Sequence, residues 1–227
     1  MDNFISLLQF ADGLFPAGAY AHSFGLEYYV QSGEVRDAAG VEQFLRAHLE
    51  GSAAPTDAVA LLCAWRAAKA GDLATCIALD ETLDAMKTVS ELRDASRQMG
   101  RQTLRVANHL LGHHLPVSFG EAVTNEITLG HHPVVLGIIG GVIEWPPKEM
   151  AAAYLYSTSA ALVGAALRLM PLGQLAGQRI LRNIMPLIAK LAAEVQDKTQ
   201  GDMWTFAPAL EIAGMRHAML DARLFRS

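Results

Sequence analysis

Apolar residues between Val89 and Leu111 recur with helical spacing. Val89, Leu92, Ser96, Met99, Thr103, Val106 and Leu110 follow a 3-4-3-4 step and make one stripe, polar at two positions. On another side of the same helix Arg93, Arg97, Arg101 and Arg105 recur every four residues, extended by His109 and His113. Four residues advance the helix by about 40°, so this row is a slanting basic ridge. Gly112 and Pro116 stop it, and Ser118 with Glu121 has the form of a capping box for the next helix.

The rest of the chain alternates helix, breaker and cap. The stretch after Gly18 reads as a helix closed by Gly33, and Asp37 caps a helix through about Glu50. Gly51-Ser52 and Pro55 are expected to break it. Thr56 then caps a helix through Lys69, Gly71 ends that one, and Asp72 caps the next. Met150–Leu167 carries no charge, a length at the lower limit for a membrane span. Its alanines, glycine, tyrosines and hydroxyls suit instead a central helix approached from nearly every side, extending to Leu169. Val134–Ile143 is apolar but short and holds three glycines. Gln174–Val195 is helical in pattern, with a kink or break expected at Pro186, and Pro208 opens a last helix toward Arg223. No stretch alternates with period two. The expectation is one all-α domain over residues 1–227, a bundle of about ten helices around a buried central helix with bundle-type short connections.

Composition sharpens this reading little. The 227 residues are 52% hydrophobic and only 7% aromatic, a balance that favours helix over sheet. A net charge of −5 gives no support to bulk nucleic-acid binding. Cys63 and Cys76 lack metal-site spacing and read as reduced core residues. Asp2 and the interruption of Leu7-Leu8 by Gln9 argue against a signal peptide, so a cytoplasmic protein is expected.

Candidate chemistry is sparse. Ala21-His22-Ser23-Phe24-Gly25 is one residue from a nucleophile elbow, but alanine stands where glycine belongs and no strand precedes it. Five of the eight histidines fall between His109 and His132. His109 and His113, four apart, would make half of a metal site, and no further ligand motif completes it. The arginine ridge is a solvated face, a docking face for an acidic partner, or an RNA track. The last lacks interleaved aromatics for base stacking. No phosphate-binding loop motif occurs.

The densest punctuation lies in Leu7–Glu27, LLQFADGLFPAGAYAHSFGLE, where turn residues alternate with Phe10, Phe15, Tyr20 and Phe24. This run resembles the N-terminal signature of the urease accessory protein UreF family. Arg223-Leu224-Phe225-Arg226-Ser227 resembles that family's closing motif. ASRQMG at Ala95–Gly100, PLGQ at Pro171–Gln174 and PALEIA at Pro208–Ala213 match between them, so the resemblance covers nearly the whole chain. It implies a non-catalytic, cofactor-free scaffold, homodimeric within its complex. Such a scaffold joins a second scaffold protein (UreD or UreH) and recruits and modulates the nickel-carrying GTPase UreG for nickel insertion into apo-urease.

Carried over by motif, the partner-binding candidates are Phe15, Pro16, Gly18, Tyr20, His22, Ser23, Gly25, Glu27, Arg223, Leu224, Phe225 and Ser227. Arg93, Arg97, Arg101 and Arg105 join them through the ridge. Contact with a partner is the favoured role for Tyr20, Glu27 and Arg223, since polar groups are not needed to hold a helical core. Two large apolar residues at the end of the chain suggest a tail that stays loosely packed until a partner orders it. The competing classes are a hydrolase using Ser23 with a histidine, and an RNA-binding module on the ridge.

Overall fold

Caps and breakers divide residues 3–227, which the computed structural model describes, into helices and short connections. In chain order these are α1 (Asn3–Ala11), α2 (Leu26–Gln31), α3 (Ala38–His48), α4 (Val59–Lys69), α5 (Leu73–Met86) and α6 (Ser90–Leu111). After them come α7 (His114–Thr124), α8 (His132–Val142), α9 (Pro147–Leu169), α10 (Gln174–Glu194) and α11 (Pro208–His217). No strand occurs among the described residues, and the class is all-α with one hydrophobic core. Asp37 accepts from Gly40 N at 2.9 Å and Asp72 from Thr75 N at 3.0 Å, the two carboxylate caps that the sequence predicts.

Met150–Leu169 is central in that α9 packs against α1, α2, α3, α4 and α10, but the most completely buried helix is α8. Every residue of α8 from Pro133 to Gly141 is buried. Glycine spacing is the physical reason. A Cβ added at Gly137 would sit 2.3 Å from Leu61 O and 2.7 Å from Ala64 Cβ. One added at Gly141 would sit 2.5 Å from Trp65 O and 2.7 Å from Ala68 Cβ. Two glycines four apart thus let α8 press backbone against one face of α4. The same glycines make the segment look irregular in a sequence. Helix α9 is long and apolar enough to cross a membrane by length and composition, and half of its apolar window is buried inside the protein. Its other side is half-open: Ala153, Ser157, Ala160, Ala161 and Gly164 line a cavity, and Tyr156 is exposed.

The break expected at Gly51-Ser52 and Pro55 and the cap expected at Ser118 both fail. Between α3 and α4 the chain stays helical through Gly51, Ser52 and Pro55 by widening into a ten-residue π-helical segment, Leu49–Ala58. The carbonyls of Gly51 and Pro55 accept from Phe206 N (2.9 Å) and Trp204 N (3.3 Å), while Thr56 Oγ1 donates to Trp204 O at 2.6 Å. Strand-like residues 203–207 thus take the bonds that the proline and the wide turns leave open. Of the kink or break expected at Pro186, the break is absent: α10 runs on to Glu194. Ser118 lies inside α7, whose cap is His113, with Nδ1 accepting from Leu115 N at 3.2 Å. Pro116 falls in the first turn there, where no amide donor is needed.

Candidate functional site

The N-terminal motif and the closing motif, about 200 residues apart in sequence, form one structure. Gly18 is left-handed (φ 88°) and opens a single 3₁₀ turn, Ala19–Ala21. Phe24 (φ 52°) and Gly25 (φ 87°) are both left-handed, and this reversal aims two amides outward. Ser23 N (2.5 Å), Phe24 N (3.0 Å) and Ser23 Oγ (2.9 Å) all donate to the carbonyl oxygen of Ser227. Holding a phenylalanine left-handed costs about 1–2 kcal/mol, which these three bonds offset. His22 Nδ1 lies 2.8 Å from Ser227 Oγ, and Arg226 N donates to Ala21 O at 2.9 Å.

Glu27, 1% exposed, accepts from Leu224 N at 2.7 Å, Phe225 N at 3.0 Å and His217 Nε2 at 3.0 Å. Burial alone would raise its carboxyl, but the Leu224 amide, His217 and the Phe225 amide outweigh it and hold the group below the ordinary carboxylate value. Its contribution is therefore present above that ordinary value and lost as pH falls through the lowered one.

The tail is thus packed, contrary to the expectation of a loose end: Phe225 is 4% and Ser227 2% exposed. Glu27 is an internal acceptor with no oxygen left facing solvent, because buried amides consume what a surface carboxylate would offer a partner. His22, Ser23 and Gly25 are buried too, and Phe15 is half-buried. Ser23 spends its hydroxyl on Ser227, and no imidazole bonds to it, so the hydrolase reading loses its nucleophile. Burial and then Arg226 push the His22 imidazole down to about 4, which keeps it neutral.

What the knot leaves outside is a rigid rim. Tyr20 is 74% exposed, yet Arg168 lies 3.6 Å from its ring centre, donates to its carbonyl at 2.7 Å, and stacks at 4.2 Å on Phe225 with the same guanidinium. Pro16, Gly18, Arg223 and Leu224 are exposed as well. Arg223 bonds Glu91 at 2.8 Å. Ile212, Met215 and Met219, at i, i+3 and i+7 from α11 onward, face solvent at 51%, 53% and 83% exposure.

The arginine ridge divides. Arg97 Nη2 lies 2.5 Å from Asp84 Oδ1 and Arg97 Nη1 3.2 Å from Asp94, while Arg93 is half-buried and donates to Lys87 O. Arg101 and Arg105 are exposed, because the 40° drift of the row carries its second half off the α5 side. Changing Arg101 and Arg105 to glutamate is expected to alter stability by less than about 0.5 kcal/mol. Arg97→Glu, which sets a third carboxylate beside Asp84 and Asp94, is expected to cost about 2 kcal/mol or more. Urea denaturation of the two variants checks the contrast.

Gly112 (φ 59°) ends α6 and swings His113 off the helix, so His109 and His113 do not share a face. His109 Nδ1 donates to Arg105 O at 2.8 Å. Among the described residues no three histidine, cysteine or acidic side chains converge as a metal site.

A cavity of about 590 Å³ lies under the N-terminal loop, walled by Phe10, Phe15, Leu136, Trp145 and Met150. At its polar end Asp57 pairs with Lys87 Nζ at 2.7 Å and accepts from Tyr154 Oη at 3.0 Å. His48 and His132 share that end, and burial lowers both to about 4, against the pull of Asp57 and with that of Lys87. Burial and then Asp57 raise the Tyr154 phenol. Nothing in the sequence groups these five, which come from separate elements. His131, one of the five clustered histidines, is buried and spent internally: Nδ1 lies 3.0 Å from Ser96 Oγ and Nε2 2.9 Å from Asp84. The pairing of His217 with Glu91 and Glu27 is not visible in the sequence, where Glu91 reads as part of a solvated face, since the partners lie over 120 residues apart.

Together these residues define an all-helical protein whose N-terminal and closing motifs are spent on bonds to each other, with the Tyr20 ring and the Ile212, Met215 and Met219 face left outside. The UreF family model matches residues 35–185. Three curated urease accessory proteins UreF are each 32% identical to the chain. That of Lachnoclostridium phytofermentans aligns over 100% of both chains, that of Paenarthrobacter aurescens over 98% of this chain and 97% of its own, and that of a Nostoc species over 99% and 96%. The chain belongs to the UreF family of urease accessory proteins, and its role is accessory rather than catalytic.

Proposed function

We propose that this chain is a cytoplasmic scaffold in urease maturation. It joins the UreD/UreH scaffold, works as a homodimer within that complex, and recruits and modulates the GTPase UreG so that nickel enters apo-urease. Full-length similarity to urease accessory proteins UreF carries this reading. The exposed rim supports it further: Tyr20 is held in place before any partner arrives, which lowers the ordering cost of binding. The Ile212, Met215 and Met219 face adds soft apolar area that adapts to a partner surface. Tyr20, Arg223 and Leu224 are the proposed contact residues. Glu27, Ser23, His22, Phe225 and Ser227 hold them in position from within. The N-terminal turn and Arg101 with Arg105 complete the candidate surface.

Pull-down with UreD/UreH and UreG, separately and together, tests this. Deleting 223–227 removes the buried Phe225, a side chain worth about 1.5–3 kcal/mol. The helical circular-dichroism signal should persist while recruitment of the GTPase and urease activation are lost. Tyr20→Ala should weaken recruitment with the melting temperature nearly unchanged. Normal assembly and activation by the truncated protein would overturn the proposal.

A further inference from the structure

His217, the last residue of α11, is fully buried between two carboxylates. Its Nδ1 lies 2.7 Å from Glu91 Oε2 of α6 and its Nε2 3.0 Å from Glu27 Oε2 of α2. An ionised carboxylate only accepts, and a neutral imidazole donates through one nitrogen. Both contacts are hydrogen bonds only when both ring nitrogens carry protons. The rest of the cluster fits an imidazolium. Glu91 also takes Arg223 Nη1, so two carboxylates face one imidazolium and one guanidinium and the charges sum to zero. Arg216, the neighbour of His217, is turned outward to Tyr28 Oη at 2.6 Å. His22 is at the other end of the tail, on Ser227.

We propose that His217 is the protonated keystone of a latch that ties residues 223–227 to the N-terminal turn. Loss of its second proton releases the tail and dismantles the rim. This rests on the reading of that rim as the partner surface. Stripping the proton aims a nitrogen lone pair at a carboxylate oxygen and leaves Glu27 and Glu91 facing each other with no cation between them, a costly arrangement away from water. Glu27 is the acceptor for both the imidazole and the two tail amides, so a shift of Glu27 away from a neutral ring withdraws it from Leu224 and Phe225 as well. The direction is fixed: the imidazolium holds the tail docked, and rising pH opens it.

The experiment uses the full chain, with nitrogen NMR of the histidine rings and amide hydrogen exchange of Leu224 and Phe225 across a pH series, in wild type and His217→Gln. The expected result is two ring N–H signals for His217 at neutral pH. Protection of the two amides should fall about tenfold or more as the second signal disappears on the alkaline side. In His217→Gln, protection should be low and flat with pH. A neutral His217 ring at neutral pH, wild-type protection that ignores pH, or a variant as protected as wild type would each overturn the latch. If the variant fails to fold by circular dichroism, the wild-type ring signals and pH profile decide alone. A tail that opens as expected without any change in UreD/UreH or UreG binding upholds the latch and overturns the docking reading instead.

Discussion

Gly137→Ala is expected to destabilise the protein by about 3 kcal/mol or more, read as a fall in the urea midpoint. Overpacking is tolerated where a flexible side chain yields, but here the new methyl meets the carbonyl oxygen of Leu61 at 2.3 Å. That oxygen belongs to the backbone of α4, buried along nearly its whole length. Relief requires moving two central helices apart, which opens gaps along the entire contact. Gly164→Ala on α9 is the control. A Cβ there meets nothing within 4 Å, so the substitution should gain about 0.5–1 kcal/mol from helix propensity. Equal effects from the two variants would mean that the close approach of α4 and α8 is not what holds the centre together.

Asp80→Ala carries the second large effect, about 4 kcal/mol or more. Asp80, fully buried on α5, anchors the connection into α8. One of its oxygens accepts from Thr128 Oγ1 (2.7 Å), Leu129 N (2.8 Å) and Gly130 N (2.7 Å), and the other from His131 N (2.7 Å). Alanine orphans four donors at once in a site that water does not reach. Asparagine should recover only part of the loss, because its amide group turns a donor toward donors. Denaturant unfolding of both variants measures the difference, and an alanine variant within 1 kcal/mol of wild type, below the usual cost of orphaning one buried donor, would show that the connection is held by packing instead.

Helix class, the caps Asp37 and Asp72, the left-handed stops Gly33, Gly71 and Gly112, and the stripe from Val89 to Thr103 were legible because each depends on neighbours within one turn or two. Which helix is buried most completely was not. A chargeless alanine-rich run and a glycine-broken apolar run differ in what approaches them, and that is a property of α4, 76 residues earlier from Gly137 to Leu61. Pro55 misled for a similar reason: its stop signal is local, while the acceptor pairing that lets the helix widen comes from residues 204–206. At the candidate site, the motif residues were legible as a group but not in their division of labour. Tyr20 and Glu27 look alike in a sequence as polar residues on short helical turns. Only the return of the tail makes one an exposed ring and the other a buried acceptor.

The pairing of Ser23 and Phe24 with Ser227 also constrains when the protein becomes competent. During synthesis, segments fold in the order they emerge, and the 20–27 turn emerges among the first. Its amides find their acceptor only when residue 227 has left the ribosome, some 200 codons later. Until then the left-handed Phe24 lacks its bonds to Ser227, and Arg168, which holds Tyr20, has no Phe225 ring to stack on. A chain lacking residues 223–227 would keep its helical body yet lose the bonds that fix Ser23 and Phe24. The exposed turn around residues 20–27 thus takes its shape from a pairing of segments made about 200 residues apart, and a few hydrogen bonds set the order in which that surface can form.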